Sequence, residues 1–258
     1  MDTSNPEKAQ GHWLLAKMGK RVLRPGGREL TERMIQALDI DAQDNLVEFA
    51  PGIGKTASFL ISKSPKTYTG VDADEEVVKR LNSKLGNNQS KFILSNAANT
   101  ELEENSVDKL VGEAMLTMHA DHRKSEIIRE ANRILKKGGL YAIHELGLTP
   151  DSINDEAKGE ISKQLALSIK VNARPLTLKE WEGILIAEGF KIKKVLISEM
   201  LLLERSRVIE DEGFLRALKI GFNVLTHPEA KKRILDMRKV FRKYRSNMNA
   251  VAIIAEKI

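Results

Sequence analysis

The segment that most constrains this chain is an apolar strand pattern running straight into a glycine turn. Asn45-Leu-Val-Glu-Phe-Ala50 is followed at once by Pro51-Gly-Ile-Gly54. A compact apolar run bounded by turn residues reads as a buried strand. From there helical and strand patterns alternate. Helices are expected at about 55–63, 74–85 and 121–136, the last ended by Gly138-Gly139. Strands are expected at 67–72, 91–95, 108–112 and 140–146. Such alternation calls for a parallel sheet with helices on both faces.

The flanks are mainly helical. Residues 7–22 have apolar side chains at helical spacing, and Arg24-Pro-Gly-Gly27 is a turn before a short helix at 29–38, started by Thr31 or a neighbour. Residues 152–171 form a long amphipathic helix stopped by Pro175. Thr177 and Glu180 have the spacing of a capping box for a helix ending before Gly189. Strands follow at 191–197 and 200–204, then helices at 207–225 and 229–245 parted by His227-Pro228, then a last strand at 250–255.

Composition removes whole classes of chemistry. The 258 residues include no cysteine, which excludes disulfides, Cys-ligated metals and a thiol nucleophile. The N-terminal segment lacks the apolar core of a secretory signal, and no apolar run reaches membrane-span length, so a cytoplasmic protein is expected. The net charge of +6 is local: residues 231–245 hold eight Lys or Arg and one Asp, net +7, leaving the rest of the chain near −1.

Glycines between a strand and a helix let backbone approach an anionic ligand. Three ligands fit in principle. Gly54-Lys55-Thr56 looks like the tail of a nucleotide phosphate loop, but Phe49 stands where that loop needs its first glycine. Gly52-x-Gly54-x-x-Ala57, with Asp72 about 20 residues beyond Gly52, suits a dinucleotide. The third candidate is S-adenosylmethionine (SAM).

Five segments in register carry that third reading. Glu48-x-Ala50-x-Gly52-x-Gly54 resembles motif I of the class I SAM-dependent methyltransferases, with Ala50 in place of the first glycine. Gly70-Val-Asp72, Ser95-Asn-Ala97, Ser106-Val-Asp108 and Glu130-x-x-Arg133-Ile-Leu-Lys-Lys-Gly-Gly139 resemble the family's later motifs, in the family's order. The resemblance is closest to the ubiquinone-biosynthesis-like small-molecule methyltransferases. It implies an α/β fold: a doubly wound, mostly parallel seven-stranded Rossmann-like sheet with its last strand antiparallel. The resemblance covers roughly the first 200 residues. A single domain over 1–258 is expected, with a helical cap at 1–44 and helical inserts at 150–175 and 205–247, covered by no motif, forming a lid.

The same resemblance assigns SAM to Glu48, Ala50, Gly52, Gly54, Asp72, Ala73, Asn96, Ala97, Glu113 and Ala114. Asp72 would take the ribose hydroxyls, since a carboxylate can accept two hydrogen bonds from a vicinal diol. Ligands of open α/β sheets sit beyond the carboxyl ends of strands, which makes Glu113, His119 and Glu145 the catalytic candidates. His144 follows the same strand as Glu145, Trp13 lies on the N-terminal helix, and Arg24 and Arg174 border turns where an acidic substrate could be held. No metal site is expected from His119-x-x-His122. The expected function is methyl transfer to a small-molecule acceptor. An RNA or tRNA methyltransferase using the basic 231–245 helix, or an NAD-dependent enzyme, are the alternatives. Glu113-Ala-Met-Leu116 stands where an amino-methylating DNA enzyme carries Asn/Asp-Pro-Pro-aromatic, so that type is disfavoured, and a nucleic-acid partner is not the first expectation.

Overall fold

A computed structural model describes residues 9–258. The chain runs α1 (Gly11–Lys17), α2 (Gly27–Leu38), β1 (Asn45–Phe49), α3 (Lys55–Ile61), β2 (Thr67–Asp72), α4 (Glu75–Leu85), β3 (Ser90–Leu94) and β4 (Val107–Glu113). It continues through α5 (Asp121–Ile134), β5 (Leu135–Leu148), α6 (Asp155–Ile169), β6 (Leu176–Thr177), α7 (Leu178–Ala187), β7 (Phe190–Glu199), α8 (Arg205–Glu212), α9 (Phe214–Thr226), α10 (Pro228–Lys243) and β8 (Met248–Lys257).

The sheet order is β3-β2-β1-β4-β5-β8-β7. Strands β1 to β5 are mutually parallel, and β8 lies antiparallel between β5 and β7. The expected doubly wound sheet with an antiparallel final strand is therefore present. The two-residue β6, paired with β5, makes an eighth strand.

Alternation along each strand divides the core. Val47, Phe49, Tyr141, Ile143, Val251 and Ile253 face α5 and α7. Leu46, Ala142, Ala250, Ala252 and Ile254 face α2, α3 and α4. A third cluster lies beyond the end of β5, where α1, α6 and α10 pack on Leu146 and Leu148. Helices α1, α6 and α10 thus form a roof at the carboxyl end of β5, whereas α2 packs on a face of the sheet. No helix among the described residues is long and apolar enough to cross a membrane.

Four local expectations are corrected. Thr31 does not start α2: the left-handed Gly26 does, and Thr31 is buried inside the helix. Helix α5 ends at Ile134, because Leu135 already takes extended backbone and opens β5 ahead of Gly138-Gly139. Met200–Glu204 is no strand. Pairing of β7 stops at Glu199 opposite Asn249, near the start of β8, and Met200, Leu202 and Leu203 turn into the third cluster instead. The expected 207–225 helix is broken at Gly213, whose φ of 80° and ψ of 156° are incompatible with helix. The start of the expected 7–22 helix lies partly outside the described residues. The Thr177–Glu180 capping box is formed as its spacing predicts.

Candidate active site

The carboxyl ends of β1, β2 and β4 open into a cleft of about 330 Å³. Its floor is Glu48, Ala50, Pro51, Gly52 and Ile53, and one side is Asp72, Asp74 and Val77. The other side is Glu113, Ala114, Met115, Met118 and His119, and His12, Trp13 and Arg24 lie across it from the N-terminal segment.

Two strands enter the cleft through the same device. Ala50 and Ala114, each immediately after a strand, both have φ of 53°. Their N–H groups still donate to the next strand, Ala50 to Val71 O at 2.8 Å and Ala114 to His144 O at 2.7 Å. The chain is then deflected sharply out of the sheet. That left-handed conformation is the one glycine adopts freely, so the structure gives the physical reason for a glycine at position 50 of the motif. Gly52, with φ of 53°, opens the cleft floor: a Cβ there would meet only the Ala50 carbonyl, at 3.8 Å.

Asp72 is set over this turn. Its Oδ2 accepts from Gly52 N–H at 3.3 Å and its Oδ1 from Asp74 N–H at 3.0 Å. Partial burial raises its pKa above the usual carboxylate value, opposed by these backbone bonds. Four lone-pair directions on a carboxylate holding two bonds leave room for a diol.

Two further carboxylates reach the cleft and are driven in opposite directions. Glu48 is buried and accepts from the Tyr68 hydroxyl. Burial pushes its pKa up to about 8, the Tyr68 bond opposing and the Glu113 charge adding to the shift. Burial would raise Glu113 as well, but the Arg24 guanidinium and the bonds from His144 and Thr31 outweigh it and hold the group at about 2. Thr31 Oγ1 donates to Glu113 Oε1 at 2.6 Å, His144 Nδ1 lies 2.8 Å from the same oxygen, and Arg24 Nε lies 3.3 Å from it. Thr56 Oγ1 donates to Glu113 Oε2. His144 also faces the Pro25 carbonyl through Nε2, which ties β5 to the loop before α2.

Glu145 does not face the cleft. It is wholly buried and accepts from the N–H groups of Met115, Leu116 and Thr117 at 3.0, 2.8 and 3.0 Å, and from the Thr117 hydroxyl at 2.6 Å. These bonds fix the loop after β4. Glu145, a catalytic candidate from the sequence, thus has both carboxylate oxygens engaged by this loop and is not part of the cleft wall.

A second, apolar cavity of about 90 Å³ adjoins the cleft and shares His12, Leu23, Ala114 and Met118 with it. Its remaining walls come from the roof: Leu15, Leu165, Ile169, Met237 and Phe241 among others.

Comparison with known proteins decides the family. Residues 47–143 match the methyltransferase-domain family. An uncharacterised protein of Haemophilus influenzae is 32% identical over 251 residues, 96% of this chain and 98% of that one. The chain belongs to the class I SAM-dependent methyltransferases. A 27-O-demethylrifamycin SV methyltransferase of Amycolatopsis mediterranei is 25% identical over 150 residues, 57% of this chain and 55% of that protein. Among solved structures, the [4+2]-cyclase SpnF superposes with a TM-score of 0.71 at 17% identity, covering 95% of this chain and 92% of its own.

Of the methyltransferase positions named from the sequence, Glu48, Ala50, Gly52, Asp72, Glu113, Ala114 and His119 line one cleft. Gly54, Ala73, Asn96 and Ala97 stand outside its wall. Gly54 instead lies under α4, where an added Cβ would come within 2.4 Å of Leu81. The exposed Asn96 uses its side-chain oxygen on Ala98 N–H and Arg123. Arg174 is likewise remote, on a separate surface cleft beside α6. Arg24 is present at the site but is engaged by Glu113 and Thr31. His12 stands beside Trp13 on the N-terminal helix that the sequence brings to the site. Thr31 and Thr56 are legible in the sequence only as a helix start and as the end of a phosphate-loop-like turn, not as partners of Glu113.

Proposed function

We propose that this methyltransferase moves a methyl group from SAM, held in the β1–β2–β4 cleft, to a small-molecule acceptor seated in the adjoining apolar cavity. The observation that carries the reading is the continuity of the two chambers. A cleft carrying the Glu48, Asp72 and Glu113 carboxylates adjoins a pocket walled almost entirely by apolar side chains, and the two share His12, Leu23, Ala114 and Met118. The likeness to a rifamycin methyltransferase supports an acceptor of that general kind.

Bound SAM supplies an electrophilic methyl group on a sulfonium, displaced in line, so orientation supplies much of the rate. In this reading Asp72 takes the ribose hydroxyls and Gly52 keeps the floor open for the cofactor. His119 is the group able to take a proton from an acceptor hydroxyl or amine, His12 being the weaker base. Burial lowers both, His12 to about 4, so both imidazoles are neutral at pH 7. Glu113 is too acidic to act as a base there; it positions Arg24, Thr31 and Thr56 around the cleft. Glu145 positions the loop that carries Met115 and Thr117. Of the expected cap and inserts, α1, α6 and α10 supply the roof.

The RNA reading has less support. Arg238 and Arg242 of the basic helix are paired with Glu204, and Arg245 with Glu199. Labelled SAM incubated with the protein, a fractionated small-molecule extract and bulk RNA tests the proposal. Label in the small-molecule fraction is expected, with turnover lost and SAM affinity retained in His119→Ala. Label confined to RNA, or stabilisation by NAD without any response to SAM, overturns it.

A further inference from the structure

Helix α9 has the opposite of the usual surface pattern. Phe214, Leu215, Leu218, Phe222 and Leu225 are 62, 81, 55, 67 and 64% exposed. At 100° per residue these five fall within one stripe about 100° wide, on the side opposite the buried Ile220. Isolated exposed apolar side chains are ordinary, but five on one helix face form a contiguous patch that demands a partner. Nothing among the described residues covers it.

The charge beside the patch selects the partner. Lys219 borders the stripe, and the exposed side chains of the adjoining α10 include Lys231, Lys232, Lys239, Arg242 and Lys243 against Glu229 and Asp236. Lys219, Lys231 and Lys232 have no anionic partner among the described residues. A two-fold pairing of copies through α9 would set the same cationic flanks close together, which opposes a dimer. An apolar helix face flanked by lysine and arginine is the pattern that lies in the interface of a membrane carrying anionic lipid. The helix is held to the body on its other side. Asn223 Nδ2 donates to Met18 O and Arg216 Nε to Gly19 O, both at 3.0 Å, so the stripe is presented on a fixed element next to α1.

We propose that α9 is a membrane-surface anchor: its apolar stripe enters the headgroup–acyl boundary of an anionic bilayer while the lysines of α9 and α10 meet lipid phosphates. The test uses the full chain and co-sedimentation with phosphatidylcholine vesicles, with and without phosphatidylglycerol. Binding is expected only with phosphatidylglycerol, weakened by salt. The double variant Leu218→Ser/Phe222→Ser and the double variant Lys231→Glu/Lys232→Glu should each reduce vesicle partitioning by about tenfold or more. All of these side chains are exposed, so an unchanged unfolding midpoint and SAM affinity verify that the variants are folded. Absent vesicle binding, or binding indifferent to these substitutions or to anionic lipid, overturns the proposal. Light scattering that shows a dimer dissociated by Leu218→Ser/Phe222→Ser, with no vesicle binding, also overturns it and assigns the face to a second copy.

Discussion

Replacing Glu48 by Gln should stabilise the protein, and by an amount that grows with pH. The wild-type carboxyl titrates near its ordinary 4.5 in the unfolded chain and at about 8 in the folded one. Between those values the folded state retains a proton that the unfolded state has lost. Folding stability therefore falls as pH rises across that window, and it is least affected below the unfolded value. At 1.36 kcal/mol per pH unit, the full interval corresponds to at most about 5 kcal/mol. Water in the adjoining cleft reduces this, and about 2–4 kcal/mol is expected in practice. Glutamine is nearly isosteric with the neutral acid and its amide oxygen can still accept from Tyr68. The two proteins should then match within about 1 kcal/mol at pH 5. Urea unfolding of both, from pH 5 to 8.5, isolates the effect, because Asp72, Glu113 and Glu145 titrate in both proteins and cancel in the difference. A difference that stays flat with pH would refute the argument that burial holds a proton on Glu48.

The remaining predictions concern the same strand ends. Asp72→Ala should weaken SAM binding by roughly 10- to 100-fold in calorimetry, the worth of hydrogen bonds to a charged group; undiminished affinity would remove Asp72 from the site. Glu145→Ala should cost about 3 kcal/mol or more in chemical denaturation, since three buried N–H groups lose their acceptor; a loss of turnover at unchanged stability would return it to a catalytic role. Ala50→Gly should raise stability by about 0.5–1 kcal/mol through relief of the left-handed conformation, and an unfolding midpoint lowered relative to wild type would contradict that account.

The sheet was legible because its information is local. Strand β2 runs from Thr67 to Asp72 as its pattern predicts, and the motif residues Glu48, Gly52 and Asp72 meet because parallel strands bring their carboxyl ends together. What escaped is cooperative and long-range. Thr31, Thr56, Glu113 and His144 form one network from α2, α3, β4 and β5, and no spacing in the chain marks a threonine for that purpose. Met200–Leu203 has strand composition, yet its fate is set by where β8 begins. The apolar content of 207–225 reads as one helix, and Gly213 overrides it through a backbone conformation that pattern alone does not reveal.

The bonds that Glu145 makes to the loop after β4 also divide the labour of specificity. One wall of the apolar cavity is welded to the neighbouring strand, while most of the opposite wall is contributed by α1, α6 and α10, outside the sheet. On the proposed reading, the cofactor half can thus stay invariant while the roof is re-cut. A lineage that keeps the strand-end carboxylates and exchanges only the roof's apolar side chains can acquire a new acceptor without rebuilding the machinery beneath it.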